Sequence, residues 1–145
     1  MLKKTMTTVD FGGTERTEDY YFNLTKAEIM EMELNTEGGF VEMIKRITEA
    51  KSQLELAQLF KKIICKSYGV LSPDGRKFIK NQDVLDDFMA TQAFSDLYID
   101  LLTDGGKKAA EFFEAVMPAD MQENPSAAPA QPGLAIVSGS SQSNT

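Results

Sequence analysis

The chain has 145 residues with 42% hydrophobic and 26% charged residues, values typical of one globular domain. Its net charge of −7 argues against nonspecific binding to nucleic acid, because phosphate contacts require clustered Lys and Arg. The absence of histidine excludes a His-based hydrolase triad, and no apolar run approaches the roughly 20 residues of a membrane-spanning helix. We therefore expect a cytoplasmic binding protein that is not an enzyme and that uses no cofactor or metal.

The first predicted element is a β-hairpin over residues 5–22. Two β-prone runs, 5–11 and 14–22, flank Gly12-Gly13, and Gly-Gly between such runs is a hairpin signal. The second run ends on the aromatic residues Tyr20, Tyr21 and Phe22. We expect them to pack on helices, because an isolated hairpin is marginally stable in water. Recognition of a partner by an edge strand is the alternative, which makes these three residues candidate contacts.

Three amphipathic helices are predicted next. The first begins at the capping-box sequence Thr25–Glu28 and ends by Asn35, and the second runs from about Phe40 to Ala50. The third, central helix has a possible capping box at Ser52–Glu55, and we expect Gly69 to end it in the left-handed conformation. Its apolar face consists of Leu56, Leu59, Phe60, Ile63 and Ile64.

A basic turn follows the central helix. The sequence Ser72-Pro73-Asp74-Gly75 predicts a turn, since proline presets φ and Asp-Gly tolerates the conformations that follow. One interpretation is a structural corner that leads to the next helix. The other is a contact loop on an otherwise acidic protein, whose candidate contacts are Arg76, Lys77, Phe78 and Lys80.

The last third of the chain predicts short helices and a tail. Residues 81–83 can cap one helix, Thr91 can start the next, and Pro118 stops a final helix that runs from Lys107 to Met117. From Ala119 the composition shifts to Pro, Ala, Ser, Gly, Gln and Asn, which predicts a disordered tail over 119–145 after a domain over 1–118. The apolar run Leu134-Ala135-Ile136-Val137 inside it is either a docking peptide or a chance cluster.

The fold class predicted from these elements is mainly α, with five to six helices, an N-terminal β-hairpin and a disordered C-terminal tail. Methionine is abundant, with eight residues, and its thioether either fills gaps in a helical core or adapts to a partner surface. Met30 and Met32 on the first helix are therefore further candidate contacts. Cys65, the single cysteine, is expected as a small buried hydrophobe rather than a reactive thiol.

Two stretches carry a family resemblance. The string SYGxxSPDGRxFIK at residues 67–80, together with DFGGTERTEDYYFNLTKAE at residues 10–28, resembles the tail assembly chaperones of long-tailed phages that infect Gram-positive bacteria. The resemblance is collinear over roughly residues 5 to 118. Val70-Leu71 departs from the charged pair expected between the glycine and the serine, which bears only on a charged contact at those positions.

The resemblance implies a chaperone that binds the tape measure protein and keeps it soluble while tube subunits polymerise around it. The implied mechanism is reversible burial of apolar helix faces, with no nucleotide or metal. Nucleic acid and membranes are not expected as partners, given the charge and the lack of a long apolar run. The major tail tube protein and further copies of this chain are additional implied partners. Such a protein acts in the host cytoplasm, is not expected in the mature virion, and would be the short product of a frameshift pair.

Two other functions remain open at this point. One is a structural or connector protein of the phage tail, which purified virions would contain. The other is a small phage regulatory protein, which is disfavoured because no predicted helix carries a basic recognition surface.

Overall fold

The structure is a computed structural model that describes residues 1–50, 52–103 and 106–118. Its strands are β1 (Leu2–Val9), β2 (Glu15–Phe22), β3 (Tyr68–Leu71) and β4 (Phe78–Ile79). Its helices are α1 (Lys26–Asn35), α2 (Phe40–Ala50), α3 (Gln53–Ser67), α4 (Gln82–Met89), α5 (Gln92–Leu102) and α6 (Lys107–Val116). None of these helices combines the length and the apolar character required to cross a bilayer.

The four strands form one antiparallel sheet in the order β1-β2-β3-β4. The predicted hairpin is confirmed, with Leu2 opposite Phe22, although β1 begins closer to the N-terminus than expected. Tyr68 of β3 also pairs with Phe22, and Leu71 pairs with Phe78 of β4. The prediction of a mainly α fold is therefore wrong. The fold is mixed α/β, because the segment that leaves α3 adds two strands to the hairpin.

The end of α3 differs from the prediction for a related reason. The helix stops at Ser67, and Tyr68 already has an extended backbone with φ −68° and ψ 142°. Gly69 lies within β3 and is not among the glycines with positive φ, so the predicted left-handed cap is wrong. Its missing side chain instead makes room for an aromatic ring, since a Cβ there would lie 2.6 Å from Cε2 of Phe78. Close approach of another residue is the second common reason for glycine in a strand.

The predicted turn at Ser72–Gly75 is present and joins β3 to β4. Gly75 has φ 75°, and its amide donates to the Ser72 carbonyl at 2.9 Å. The Asp74 carboxylate accepts from the Arg76 amide at 3.1 Å and from the Ser72 hydroxyl at 2.8 Å. These two bonds, the Arg76 amide first, lower the pKa of Asp74. The turn is thus held by its own hydrogen bonds and links two strands rather than two helices.

The predicted helix starts agree closely with the structure. Thr25 forms a complete capping box, in which its hydroxyl accepts from the Glu28 amide at 3.1 Å and the Glu28 carboxylate accepts from the Thr25 amide at 2.9 Å. The side chains of Ser52, Asn81 and Thr91 cap α3, α4 and α5. The predicted disordered tail over 119–145 lies outside the described residues.

An aromatic cluster joins the inner face of the sheet to the helices. Phe22 is fully buried, and its ring centroid lies 5.6 Å from Tyr68, 5.9 Å from Phe88 and 5.1 Å from Phe112. Tyr68 also stacks on Phe88 with 4.1 Å between the centroids. The remaining buried contributions come mostly from α3, α5 and α6. Phe22 therefore connects β2, β3, α4 and α6 at the centre of the core.

Candidate partner-binding surface

Three of the residues predicted as contacts belong to the core or border it. Phe22 is 0% exposed and Met32 is 7% exposed, so neither offers a surface to a partner. Tyr20 is half-buried, with its ring 5.5 Å from Phe88 and its hydroxyl donating to the Glu18 carboxylate at 3.0 Å. Burial is the larger cause and the bond to Glu18 the second, and together they raise the pKa of Tyr20 to about 12. Tyr20 and Phe22 thus serve the packing that the sequence favoured.

Lys80 serves as a link between three elements. Its Nζ donates to the Asn23 carbonyl at 2.7 Å, to the Lys66 carbonyl at 2.9 Å and to both Glu28 carboxylate oxygens at 2.8 Å. Burial raises the pKa of Glu28, but the bonds from Lys80 and Thr25 outweigh it and the pKa is lowered overall. The side chain of Lys80 is only 21% exposed. Its charge therefore holds β4 against α1 and α3.

Tyr21 and Phe78 lie on the face of the sheet opposite the aromatic cluster. Successive side chains alternate between the two faces of a strand, so Tyr21 points away from Phe22. Tyr21 is paired with Gly69, and the Phe78 ring crosses the same glycine. Both side chains are half-buried, which limits the area that they present to a partner.

The basic turn does present side chains to solvent. Arg76 and Lys77 are exposed on the side of the turn that leads into β4. At its base, Val70 and Ile79 face each other across β3 and β4, and they are 41% and 38% exposed. We name these four residues the basic turn patch. It places two cations beside a small apolar pair at one end of the sheet.

The most exposed apolar pair that shares a helix turn lies on α1. Met30 is 54% and Leu34 is 77% exposed, and their spacing of four residues puts them on the same side of the helix. Ile29 and Met32 on the same helix pack against or within the core. At 100° per residue, the two pairs point roughly 150° apart. We name Met30 and Leu34 the α1 outer face. Met30 was among the predicted contacts, whereas Leu34 was missed although its i+4 spacing from Met30 is readable in the sequence.

Charged residues border the α1 outer face. Glu31 is exposed, and the Glu33 carboxylate accepts a bond from the Val41 amide at 3.2 Å at the start of α2. A groove of about 210 Å³ lies between α1 and α3 and is lined mainly by polar and charged groups, including Glu31 and Lys62. The groove therefore suits water and polar groups. The outer face, which the exposed Lys26 also borders one turn before Met30, suits an apolar partner.

The chain is similar over nearly its whole length to one described family. A family model for phage tail assembly chaperones matches residues 1–144. The chain belongs to the phage tail assembly chaperone family. This confirms the resemblance at the level of the family and indicates a protein that acts with phage tail proteins in the host cell during assembly. Neither a curated protein nor a solved structure gives a significant match.

The described residues of the chaperone bear on the expectations for metal ligands and for the single cysteine. They contain no group of three or more side chains that would hold a metal ion. Cys65 is half-buried, its Sγ lies 3.9 Å from Sδ of Met89, and burial raises the pKa of its thiol. A thiol with a raised pKa is a poor nucleophile near neutral pH, which agrees with the expected packing role.

Proposed function

We propose that this chaperone binds the tape measure protein of its phage and keeps it soluble until tail tube subunits polymerise around it. The family supports a role in tail assembly, and the resemblance in sequence motivates the choice of partner. The observation that carries the proposal is the α1 outer face. Met30 and Leu34 are half or more exposed and sit outside the core, so burial against a partner recovers free energy at about 25 cal/mol per Å² of apolar surface.

The size of this surface fits a chaperone that must leave its client. Two side chains on one helix turn make a small ridge, which matches the groove of an amphipathic helix in the client. Each contact of this size is weak and short-lived. A long client with many apolar segments compensates by binding several copies at once, and growing tube subunits then displace the copies one by one.

The basic turn patch is proposed as a second contact. Arg76 and Lys77 add positive charge beside Val70 and Ile79, so this patch suits a client segment in which acidic and apolar residues alternate. The tail tube protein and further copies of this chain are additional partners in the proposal. The chaperone is expected to be absent from finished virions.

Coexpression with the tape measure protein tests the proposal. Wild-type chaperone should keep that protein in the soluble fraction and copurify with it in several copies, also in the presence of EDTA. Met30→Gln with Leu34→Gln should reduce the amount of copurified tape measure protein by roughly tenfold. For each bound copy, the substitutions remove about 1.4 kcal/mol or more of the free energy that apolar burial contributes. Leu54→Gln with Ile99→Gln is the matched control, since both residues are exposed, at 68% and 57%, and lie on other helices.

Charge contributes less than apolar burial in this proposal. Arg76→Gln with Lys77→Gln should weaken copurification only at low salt, because exposed charges are screened at physiological ionic strength. If the tape measure protein precipitates equally with and without the chaperone, the proposal is wrong. If the chain is stoichiometric in purified virions, the structural or connector function replaces it.

A further inference from the structure

The chain leaves its described domain beside the start of α1. Helix α6 ends at Val116, whose carbonyl accepts a bond from the Leu24 amide at 2.9 Å. Met117 is 7% exposed, and Pro118 is the last residue that the structure describes. Thr25, the residue after Leu24, caps α1. The described chain therefore ends close to the first turn of α1.

The residues beyond Pro118 have a composition that suits the α1 outer face. After Glu123 the sequence contains no charged side chain. Its longest apolar run is Leu134–Val137. An uncharged apolar segment avoids the repulsion that Glu31 and Glu33 would exert on an acidic segment.

We propose that Leu134–Val137 occupies the α1 outer face in the free chaperone and that the client displaces it. That the client binds this same face rests on the proposed function. In the sequence, 15 residues separate Pro118 from Leu134. A random-coil chain of that length has a root-mean-square reach of roughly 20 Å. Met30 and Leu34 lie only about 8 and 14 Å along α1 from Thr25, at 1.5 Å per residue. The tether therefore reaches both residues without strain.

The spacing of the side chains also matches. In an extended segment, Leu134 and Ile136 point to the same side about 6.6 Å apart. Met30 and Leu34 are separated by about 6 Å along their helix. Two apolar side chains of the segment can thus cover the two exposed side chains of the helix.

A tethered competitor of this kind lowers affinity for the client by a small factor. Short flexible linkers give effective concentrations in the millimolar range. If the four-residue contact has a dissociation constant on the order of 1 mM, it is occupied for about half of the time or more. The apparent affinity for the client then falls about two- to threefold.

Methyl NMR of the full chain tests the contact without the client. With ¹³C-methyl methionine, Leu134→Ser combined with Ile136→Ser should shift the Met30 methyl signal. The methyl signal of Met43, which packs against the core from α2, should stay unchanged and reports on folding. Pro125→Ser with Pro129→Ser is the control, because it alters the same part of the chain without removing apolar side chains from Leu134–Val137.

A binding measurement with the tape measure protein completes the test. The Leu134→Ser/Ile136→Ser variant should bind it about two- to threefold more tightly than wild type, and the control variant should bind it as wild type does. One outcome is that the Met30 methyl signal does not shift in Leu134→Ser/Ile136→Ser, while Met30→Gln/Leu34→Gln weakens client binding. In that case tail docking is overturned and the proposed function stands. If the Met30 signal responds but no variant binds the client, docking stands and the proposed function fails.

Discussion

Replacing Lys80 by methionine should destabilise the domain rather than remove a contact with the client. The substitution keeps most of the apolar stem and deletes the ammonium group that donates to Asn23, Lys66 and Glu28 at 2.7 to 2.9 Å. Among the described residues, the Glu28 carboxylate then keeps the bonds from the Thr25 amide and hydroxyl. Two backbone carbonyls lose a charged donor at the same time.

The magnitude follows from the burial of the two charged groups. A hydrogen bond to a charged group contributes about 1.5–3 kcal/mol. The side chains of Lys80 and Glu28 are 21% and 34% exposed, so water replaces part of what is lost. We expect a loss of about 2 kcal/mol in the free energy of unfolding, or a melting temperature lower by about 8 °C. Lys108→Met is the control, because the Lys108–Asp100 pair is 50% and 40% exposed and should contribute about 0.5 kcal/mol.

Urea unfolding followed by circular dichroism measures both variants, and its pH dependence adds a second check. Burial raises the pKa of Glu28, but the bonds from Lys80 and Thr25 outweigh it and the folded pKa is lowered. The stability from this pair is therefore full above the unfolded pKa of a glutamate and is lost as the pH falls through the folded value. The difference between wild type and Lys80→Met should shrink from pH 7 to below pH 4. Equal losses for Lys80→Met and Lys108→Met would refute the reasoning.

Two further predictions concern the core and the sheet. Phe22→Ala should cost about 3–5 kcal/mol because it empties the centre of the aromatic cluster, whereas Phe11→Ala, at a residue 78% exposed, should change unfolding by less than about 0.5 kcal/mol. Gly69→Ala should cost about 1–3 kcal/mol because its Cβ would clash with the Phe78 ring, and Phe78→Ala in the same chain should recover part of that loss. Gly75→Ala should cost about 1 kcal/mol through φ 75° alone, with no benefit from Phe78→Ala. Thermal melts of each variant measure these values. If the stability losses of Gly69→Ala and Phe78→Ala add up in the double variant, the close contact between the two residues is contradicted.

The misassigned strands show where sequence patterns lose information. β4 has two residues, which is too short for an alternating pattern to be recognised. Gly69 predicted a helix stop correctly, but for a reason other than the real one, because its role depends on Phe78, a residue on another strand. Lys80 and Arg76 look alike in the sequence, yet one is bonded to three elements and the other is exposed at the turn.

Local interactions determined what the sequence alone could give: the helix starts capped by Thr25, Asn81 and Thr91, the turn at Ser72–Gly75 and the first hairpin. Each depends on residues within a few positions of one another, so the pattern is legible without a fold. Tertiary structure decided that Phe22 and Met32 are core while Met30 and Leu34 are surface, and that β3 and β4 extend the sheet. Those outcomes depend on which elements meet in space, and apolar residues of one helix give the same sequence signal whether they face the core or a partner.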